Sequence, residues 1–441
     1  MTAPRGEMVN AHSPGSVSQD PATAALIARR KAALGPAYRL FYREPLHIVR
    51  GQGVWLHAAD GRQYLDAYNN VACVGHAHPH VVQAIAGQAA TLATHTRYLD
   101  ETVLRYAERI LATVPAPLTH MMFTCSGSEA NDLALRMAQA RTGGTGIVVT
   151  AHAYHGVTQA VSALSPSLGA VADMPAHVRT VPAPDTFRAG GVAAQGFATA
   201  VAAAFDDLRR AGHIPAAFVC DALFSSDGVF DPPGDVWRNT IAAVHAAGAL
   251  FIADEVQAGF GRAGGGLWGF ARHGLRPDLV TLGKPMGNGY PVAAVLADPL
   301  ITQAFAEQTR YFNTFGGNPV AAAAASAVLD VIETEDLIAS AMAVGGALRR
   351  ALGDLQSRFA CIGDVRGAGL FVGVEILNRD DGTPDAVCAS QIINAMRDRG
   401  VLLSGCGPQA NVLKIRPPLV FDETHADLLV TTLEAVLAEP G

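Results

Sequence analysis

The stretch that most restricts this chain runs from Leu250 to Gly289: L-F-I-A-D-E-V-Q-A-G-F-G-R, a loop, then D-L-V-T-L-G-K-P-M-G-N-G. It holds two short apolar runs that end in opposite charges, Asp254 after the first and Lys284 after the second. Apolar runs of this length, bounded by Gly, Pro and charge, predict buried strands of a parallel sheet. Ligands of open α/β sheets sit beyond the carboxyl ends of the strands. A carboxylate and an amine are therefore delivered to one crevice.

The chain around this stretch alternates in the same way. A helix over Glu101–Thr113 precedes a strand at Met121–Phe123, and C-S-G-S-E-A-N-D turns into a further helix. Strand I-V-V-T at 147–150, a helix near 197–210, strand A-A-F-V-C-D ending at Asp221 and helix Val236–Ala247 follow. This β-α-β order predicts a parallel sheet with helices on both faces. Ahead of it lie an Ala-rich helix, Pro21–Leu34, with Asp20 as N-cap, and a hairpin turning at Asp60-Gly61. Beyond it, helices from Pro319 to about Phe359, strands at 363–376, 401–403 and 412–415, and a last helix over Thr424–Leu437 predict a smaller α+β unit. The expected division is a mobile tail at 1–20, part of the small domain at 21–80, the large domain at 81–325, and the rest of the small domain at 326–441.

Composition excludes several classes. A net charge of -7 with no basic stripe argues against nucleic acid. No run of roughly 18 apolar residues predicts a membrane span. Six cysteines without a C-x-x-C do not make a disulfide framework, so a reducing, cytoplasmic setting is expected. The first residues lack an apolar core and are not read as a secretory signal.

Four features carry chemistry. Asp254 is placed to keep a pyridine nitrogen protonated, although an acid at a strand end also serves as a cap or a metal ligand. Lys284, in a strand end followed by a Gly-rich turn, is placed to form a Schiff base and then to move a proton. Alone, it would read as a solvated surface charge. Gly127 and Ser128, just before a helix that Glu129 opens, offer free N–H groups to a phosphate, or a plain N-cap. Tyr154 in H-A-Y-H-G could stack on a flat ring or pack in its loop. Together they fit pyridoxal phosphate (PLP). His76, His78 and His80 alternate, but Pro79 interrupts them and no acid or Cys stands beside them, so no metal is expected. G-G-T-G at 143–146 is read as a turn.

In their order and spacing these pieces resemble the class III PLP-dependent aminotransferases of fold type I. The resemblance runs from about Tyr38 to the last helix, through G-H-A-H-P-H, S-G-S-E-A-N-D, A-Y-H-G, F-I-A-D-E-V-Q-A-G-F-G-R, T-L-G-K-P-M-G-N-G and T-F-G-G-N-P. It implies a large domain with a mostly parallel, seven-stranded type of sheet and a small α+β domain drawn from both chain ends. Lys284 is then the Schiff-base lysine and Asp254 the pyridinium partner. Val256 packs on the ring face opposite Tyr154, Gln257 approaches the ring hydroxyl, and Gly127 and Ser128 hold the phosphate. Thr314 reaches the phosphate of a neighbouring subunit's cofactor, which implies a homodimer or a dimer of dimers.

Departures concern the substrate. Many members carry E-P-V-Q-G-E where this chain has Asp221-Ala222-Leu223-Phe224-Ser225-Ser226. Asp221 stands for the first Glu and Ser226 for the second. Lys414 stands where a carboxylate-binding arginine is usual, and Arg416, two residues on, is expected on the other face. A-Y-N-N-V-A-C-V-G-H-A-H-P, K-P-M-G-N-G and N-V-L-K-I-R-P-P are most similar to a subgroup of alanine–glyoxylate aminotransferase-like proteins and the phospho-lyases of phosphoethanolamine and phosphohydroxylysine. The activity implied is transfer of an amino group from a primary amine or ω-amino acid to a keto acid. The alternative is elimination of phosphate and ammonia from a phosphorylated amino alcohol. Asn69, Asn70, Arg97 and Lys414 are the candidate substrate contacts.

Overall fold

The computed structural model describes residues 8–12, 21–169, 174–188 and 192–439. Strands β1 (Ile48–Gln52), β2 (Trp55–Ala58) and β3 (Gln63–Asp66) form an antiparallel meander. The β2–β3 turn uses Gly61 at φ +87°, a left-handed conformation that costs glycine little. The large sheet contains β4 (His120–Thr124), β5 (Gly146–Thr150), β6 (Val178–Val181), β7 (Pro215–Cys220), β8 (Leu250–Asp254), β9 (Leu279–Leu282) and β10 (Ala293–Ala297). Their spatial order is β4-β10-β9-β8-β7-β5-β6. The run β9-β8-β7-β5-β6 is parallel, and β10 lies antiparallel to both its neighbours.

Both faces of this sheet are covered, as continuous apolar strands require. Phe218, Phe251, Val280 and Leu296 pack into one core with Phe197, Phe205 and Trp237 from the helices Val192–Arg210 and Gly234–Ala246. Val219, Ile252, Leu279 and Val295 face the opposite way, against Leu133, Ala134 and Met137 of the helix Gly127–Thr142. The period of two in each strand thus separates two cores.

The last third adds β11 (Ile362–Ala368), β12 (Phe371–Ile376), β13 (Val401–Leu402), β14 (Ser404–Cys406) and β15 (Val412–Ile415). Four of them form an antiparallel sheet, β11-β12-β15-β14. The fifth, β13, pairs in parallel with β3, so the two ends of the chain share one sheet. This mixed α/β architecture, with a large, mostly parallel sheet and a smaller antiparallel one, is that of fold type I. Among the described residues no helix is long and apolar enough to cross a membrane.

Some expectations need correction. Residues 8–12 fall in the stretch expected to be a mobile tail, yet Asn10 is 1% exposed and Ala11 bridges to Phe41. The Tyr42 N–H donates to the Asn10 carbonyl at 2.6 Å, and Val9 lies against Gly405. These backbone pairings come from distant segments that composition cannot report. Asp20, the expected N-cap of Pro21–Leu34, lies outside the described residues.

Candidate active site

Each chemically marked residue follows the carboxyl end of a strand of the large sheet. Asp254 ends β8, Lys284 follows β9 by one glycine, Tyr154 leaves β5, Asp221 follows β7, and Gly127 follows β4. They meet in a cleft lined by Gly127, Ser128, Tyr154, Asp254, Gln257 and Lys284, with Val256, His155, Gly156 and Asp221 completing its walls. Every cofactor-binding residue expected from the sequence is here, apart from Thr314.

Asp254 is buried and fully oriented. Its Oδ2 accepts from Asn131 Nδ2 at 3.0 Å and lies 2.7 Å from His155 Nδ1. Its Oδ1 accepts the Val256 N–H at 3.0 Å. Asn131 is itself fixed, because Thr281 Oγ1 donates to its Oδ1 at 2.8 Å. Burial alone would raise the Asp254 pKa. The bonds from His155, Val256 and Asn131 outweigh it and hold the carboxyl below its ordinary value. With two partners on Oδ2 and one on Oδ1, the remaining lone pair belongs to Oδ1.

Lys284 keeps some exposure, but its amine lies 5.7 Å from the centre of the Tyr154 ring. Burial pushes its pKa down to about 8, helped by the charge of Arg416 and opposed by Asp254 and Asp221. The amine therefore loses its proton far more readily than an ordinary lysine.

The helix after β4 begins two residues earlier than the sequence suggests, at Gly127 and not at Glu129. Ser126 is its N-cap, and Gly127 and Ser128 already belong to its first turn. Ser126 Oγ accepts from the Glu129 N–H at 3.3 Å, while Glu129 Oε2 accepts the Cys125 N–H at 2.9 Å. This reciprocal capping leaves the N–H groups of Gly127 and Ser128 without a capping side chain. A Cβ on Gly127 would lie 3.0 Å from Val256, and one on Gly156 (φ +139°) would lie 2.5 Å from Ser128 Oγ. The glycines keep this end of the cleft open and its backbone reachable.

On the other side, Gln257 Oε1 accepts a short bond from Arg416 Nη1, and Gln257 Nε2 donates to Ser225 Oγ at 2.6 Å. Ser225 Oγ donates in turn to Asp221 Oδ2 at 2.9 Å. Lys414 Nζ donates to the Ser225 carbonyl at 2.7 Å. Lys414 and Arg416 stand over one ring, that of Phe371, at 5.5 and 5.6 Å. The expectation that they face opposite sides is wrong: residues two apart in a strand share a face. Arg416 also reaches the Tyr68 carbonyl at 3.2 Å, so all its hydrogen-bond partners are neutral oxygens, as is that of Lys414.

Burial pushes Lys414 down to about 7, with the Arg416 charge adding to it. Between pH 7 and 10.5 the unfolded chain holds a proton there that the folded chain has released, so stability rises with pH across that window. Below pH 7 the full penalty of a buried charge applies. Lys414→Met should thus stabilise the cofactor-free protein at pH 6 by about 1–4 kcal/mol, and that advantage should vanish by pH 10.5. Urea unfolding at the two pH values measures it. A variant less stable than wild type at pH 6 would contradict the burial penalty.

The other substrate candidates are not brought together in this cleft. Asn69 Oδ1 accepts the Val71 N–H at 3.0 Å and closes its own turn. Asn70 is buried with Nδ2 lacking a partner. Arg97 stacks 3.7 Å over the ring of Phe312 on the surface, beside Tyr98 and Leu99, which is 98% exposed. Thr314 is also exposed, next to Phe315. The three histidines each meet an acid from a distant segment: His76 lies 2.7 Å from Asp66, His78 3.1 Å from Glu335 and His80 2.9 Å from Asp330. The premise that acids are absent from their surroundings held in sequence only. Asn131, His155 and Ser225 lie inside the quoted strings S-G-S-E-A-N-D, A-Y-H-G and Asp221–Ser226, and Arg416 two residues beyond Lys414, yet the sequence assigns none of the four to the cleft.

Strand ends that present a carboxylate, an amine and a glycine-lined helix start to one cleft define a fold type I enzyme. The chain belongs to the class III aminotransferase family, whose model matches residues 41–437, and this family is PLP-dependent. Among its relatives, a Drosophila melanogaster protein described as alanine–glyoxylate aminotransferase 2-like is 43% identical over 419 residues, covering 91% of this chain and 84% of the relative. A Caenorhabditis elegans ethanolamine-phosphate phospho-lyase homolog is 38% identical over 434 residues, covering 93% of each. Among solved structures, a phospholyase from Arthrobacter in complex with phosphoethanolamine is 44% identical at a TM-score of 0.92, covering 94% of this chain and 100% of that one.

Proposed function

We propose that this protein uses PLP to eliminate phosphate and ammonia from a small phosphorylated amino alcohol such as phosphoethanolamine. The observation that carries this reading is the pair Lys414 and Arg416: buried cations beside the cleft, hydrogen-bonded to neutral oxygens and to no carboxylate. Buried charge of one sign calls for a counter-charge, and an anionic substrate supplies it. Lys414 is a compact point charge, suited to a phosphate more than to the planar grip of a carboxylate. The likeness to a phospholyase in complex with phosphoethanolamine supports the same reading.

The residues present fit PLP. A helix start with uncapped N–H groups suits its phosphate. Tyr154 and Val256 are walls for its ring faces, Asp254 Oδ1 has a lone pair for the ring N–H, and Gln257 is placed for the ring hydroxyl. When bound, the cofactor supplies an electron sink for charge developing on the substrate carbon next to nitrogen. Lys284 first holds the cofactor, then, as a free amine of lowered basicity, takes the proton from that carbon. Lys414 and Arg416 hold the phosphate where its departing negative charge is neutralised. The proposed bond changes give acetaldehyde, ammonia and inorganic phosphate from phosphoethanolamine and water.

Thr314 belongs to this reading through a second copy of the chain. The exposed patch of Tyr98, Leu99, Phe312 and Phe315 that surrounds it suits a subunit interface, at which Thr314 would reach the neighbour's cofactor phosphate and Arg97 the neighbour's cleft.

Transamination of a primary amine or ω-amino acid with a keto acid is the second reading, favoured by relatives named as aminotransferases. One experiment separates the two. The holoenzyme is given phosphoethanolamine, and separately simple amines, without a keto acid. Release of phosphate and ammonia with the cofactor unchanged supports elimination. Conversion of the cofactor to its amine form, without phosphate release, overturns it in favour of transamination.

A further inference from the structure

The turn after β7 is built to aim one buried serine. Asp221 Oδ1 accepts the Leu223 N–H at 2.9 Å, and its Oδ2 accepts the Ser225 N–H at 2.9 Å. Between them Phe224 takes φ +49°, a left-handed conformation that a bulky residue keeps only where its surroundings hold it. Here they do. The Phe224 ring stacks on Trp237 at 5.1 Å between centroids and meets Phe197 edge-on at 5.6 Å. Its carbonyl accepts the Gly228 and Val229 N–H groups at 3.2 and 3.1 Å. Ser225 itself is wholly buried, and its N–H, hydroxyl and carbonyl all have partners.

Those partners set the direction of every bond. The Arg416 guanidinium can only donate, so the end of the Gln257 amide that it meets is Oε1. Nε2 is then the end that faces Ser225, 2.6 Å from Oγ. An amide nitrogen also only donates, so Ser225 Oγ accepts there and gives its own proton to Asp221 Oδ2 at 2.9 Å. The chain thus runs from cation to acid through Gln257 and Ser225, and each bond polarises the next. Nε2 spends one of its two protons on Ser225 and keeps the other for the cleft that Gln257 lines. The Ser225 carbonyl serves the other side of the site, where Lys414 Nζ donates to it at 2.7 Å.

We propose that Ser225 is a positioning residue for two parts of the site at once. Its hydroxyl holds the Gln257 amide with the nitrogen turned toward the cofactor's ring hydroxyl, and its carbonyl holds Lys414 ready for the anion. Without the hydroxyl, Gln257 keeps Arg416 on its oxygen but loses the anchor on its nitrogen, the end that meets the cofactor. The two halves are separable, because a substitution at the side chain leaves the carbonyl in place. The role rests on the reading of the cleft as a PLP site with an anion-binding pair beside it.

The test compares wild type, Ser225→Ala and Lys414→Met, each loaded with PLP. The readouts are the pH midpoint of the visible absorbance of the lysine-bound cofactor and the dissociation constant for inorganic phosphate. The melting temperature of each cofactor-free protein checks folding, and Ser225→Cys, close to serine in size but a weak donor and acceptor, carries the test if Ser225→Ala fails to fold. Ser225→Ala should displace the midpoint by roughly half to one pH unit, the worth of one net hydrogen bond, and keep phosphate affinity within about threefold of wild type. Lys414→Met should weaken phosphate binding roughly 10- to 100-fold, as loss of a hydrogen bond from a charged group does. An unchanged midpoint in the folded Ser225→Ala or Ser225→Cys protein overturns the hydroxyl's role. A loss of phosphate affinity in Ser225→Ala as large as that in Lys414→Met overturns the division between hydroxyl and carbonyl. A wild-type protein that takes up PLP but binds no phosphate sinks the anion reading and the carbonyl's role with it, while the midpoint still judges the hydroxyl. Failure of the wild-type chain to take up PLP sinks the reading of the cleft, and this role with it.

Discussion

Lys284→Ala will lose the visible absorbance of the lysine-bound cofactor, and its turnover will fall by at least about 10⁴-fold, near the upper end of what one positioned acid–base group contributes. Among the described residues that line the cleft, Lys284 supplies the sole amine. Gly283 precedes it, and a Cβ there would lie 3.3 Å from Gly127 Cα. The lysine backbone is thus set where the phosphate-side helix begins. Its pKa of about 8 keeps a useful fraction of the amine unprotonated near neutral pH, which the proposed proton-moving role needs. Absorbance spectra and phosphate release on the purified variant check both parts. Persistence of the absorbance would show that another amine holds the cofactor.

Asp254→Asn should be nearly as damaging, although the side chain keeps its shape. The carboxylate has three partners, Asn131 and His155 on Oδ2 and the Val256 N–H on Oδ1. An amide must turn its own NH₂ toward one of them, and it offers no charge to a protonated ring nitrogen. Removing one partner of a buried ion pair costs about 3–5 kcal/mol, so PLP binding should weaken by roughly 10²- to 5 × 10³-fold. Dialysis against graded PLP measures this, and binding within threefold of wild type would refute the pairing. The cofactor-free protein offers a second check. Asp254 is held below its ordinary pKa, so its contribution to stability is fully present above the unfolded value of about 3.9. That contribution is lost as pH falls through the folded value. Wild type should exceed the variant in stability at pH 7, and the margin should shrink in strong acid.

The centre of this molecule is readable in the sequence because its two charged candidate residues each stand at the end of their own strand. Asp254 ends the apolar run of β8, and Lys284 follows that of β9, so the local pattern and the chemistry coincide. Where they separate, reading fails. Strand β10, A-A-V-L-A, is apolar on both sides, and nothing local tells its direction, which is set by its pairing with β4 and β9. Strand β6 is four residues with an arginine inside. Asn131 looks like one more polar residue of a helix. It matters because Thr281, far along the chain, fixes which end of its amide meets Asp254. Ser226 drew notice by its place in a motif, but Ser225 carries the contacts, since its hydroxyl and carbonyl point toward Asp221 and Lys414. Arg416 was readable by the period of the strand and was assigned to the wrong face.

The parallel pairing of β13 with β3 carries a consequence for how the protein is made. Leu65 meets Val401, and Asp66 meets Leu402. A ribosome adds about 5–20 residues per second, so the N-terminal meander waits on the order of tens of seconds for the strand that completes its sheet. Until then Leu65, buried in the finished molecule, flanks an unpaired strand edge, the kind of surface that captures other chains. The large sheet is complete at β10, well before that moment, so the cleft is roughed out first. The strand that carries Lys414, and Arg416 just beyond it, arrive last, so every nascent chain passes through a stage that has its amine, its acid and its helix start but lacks that pair of buried cations.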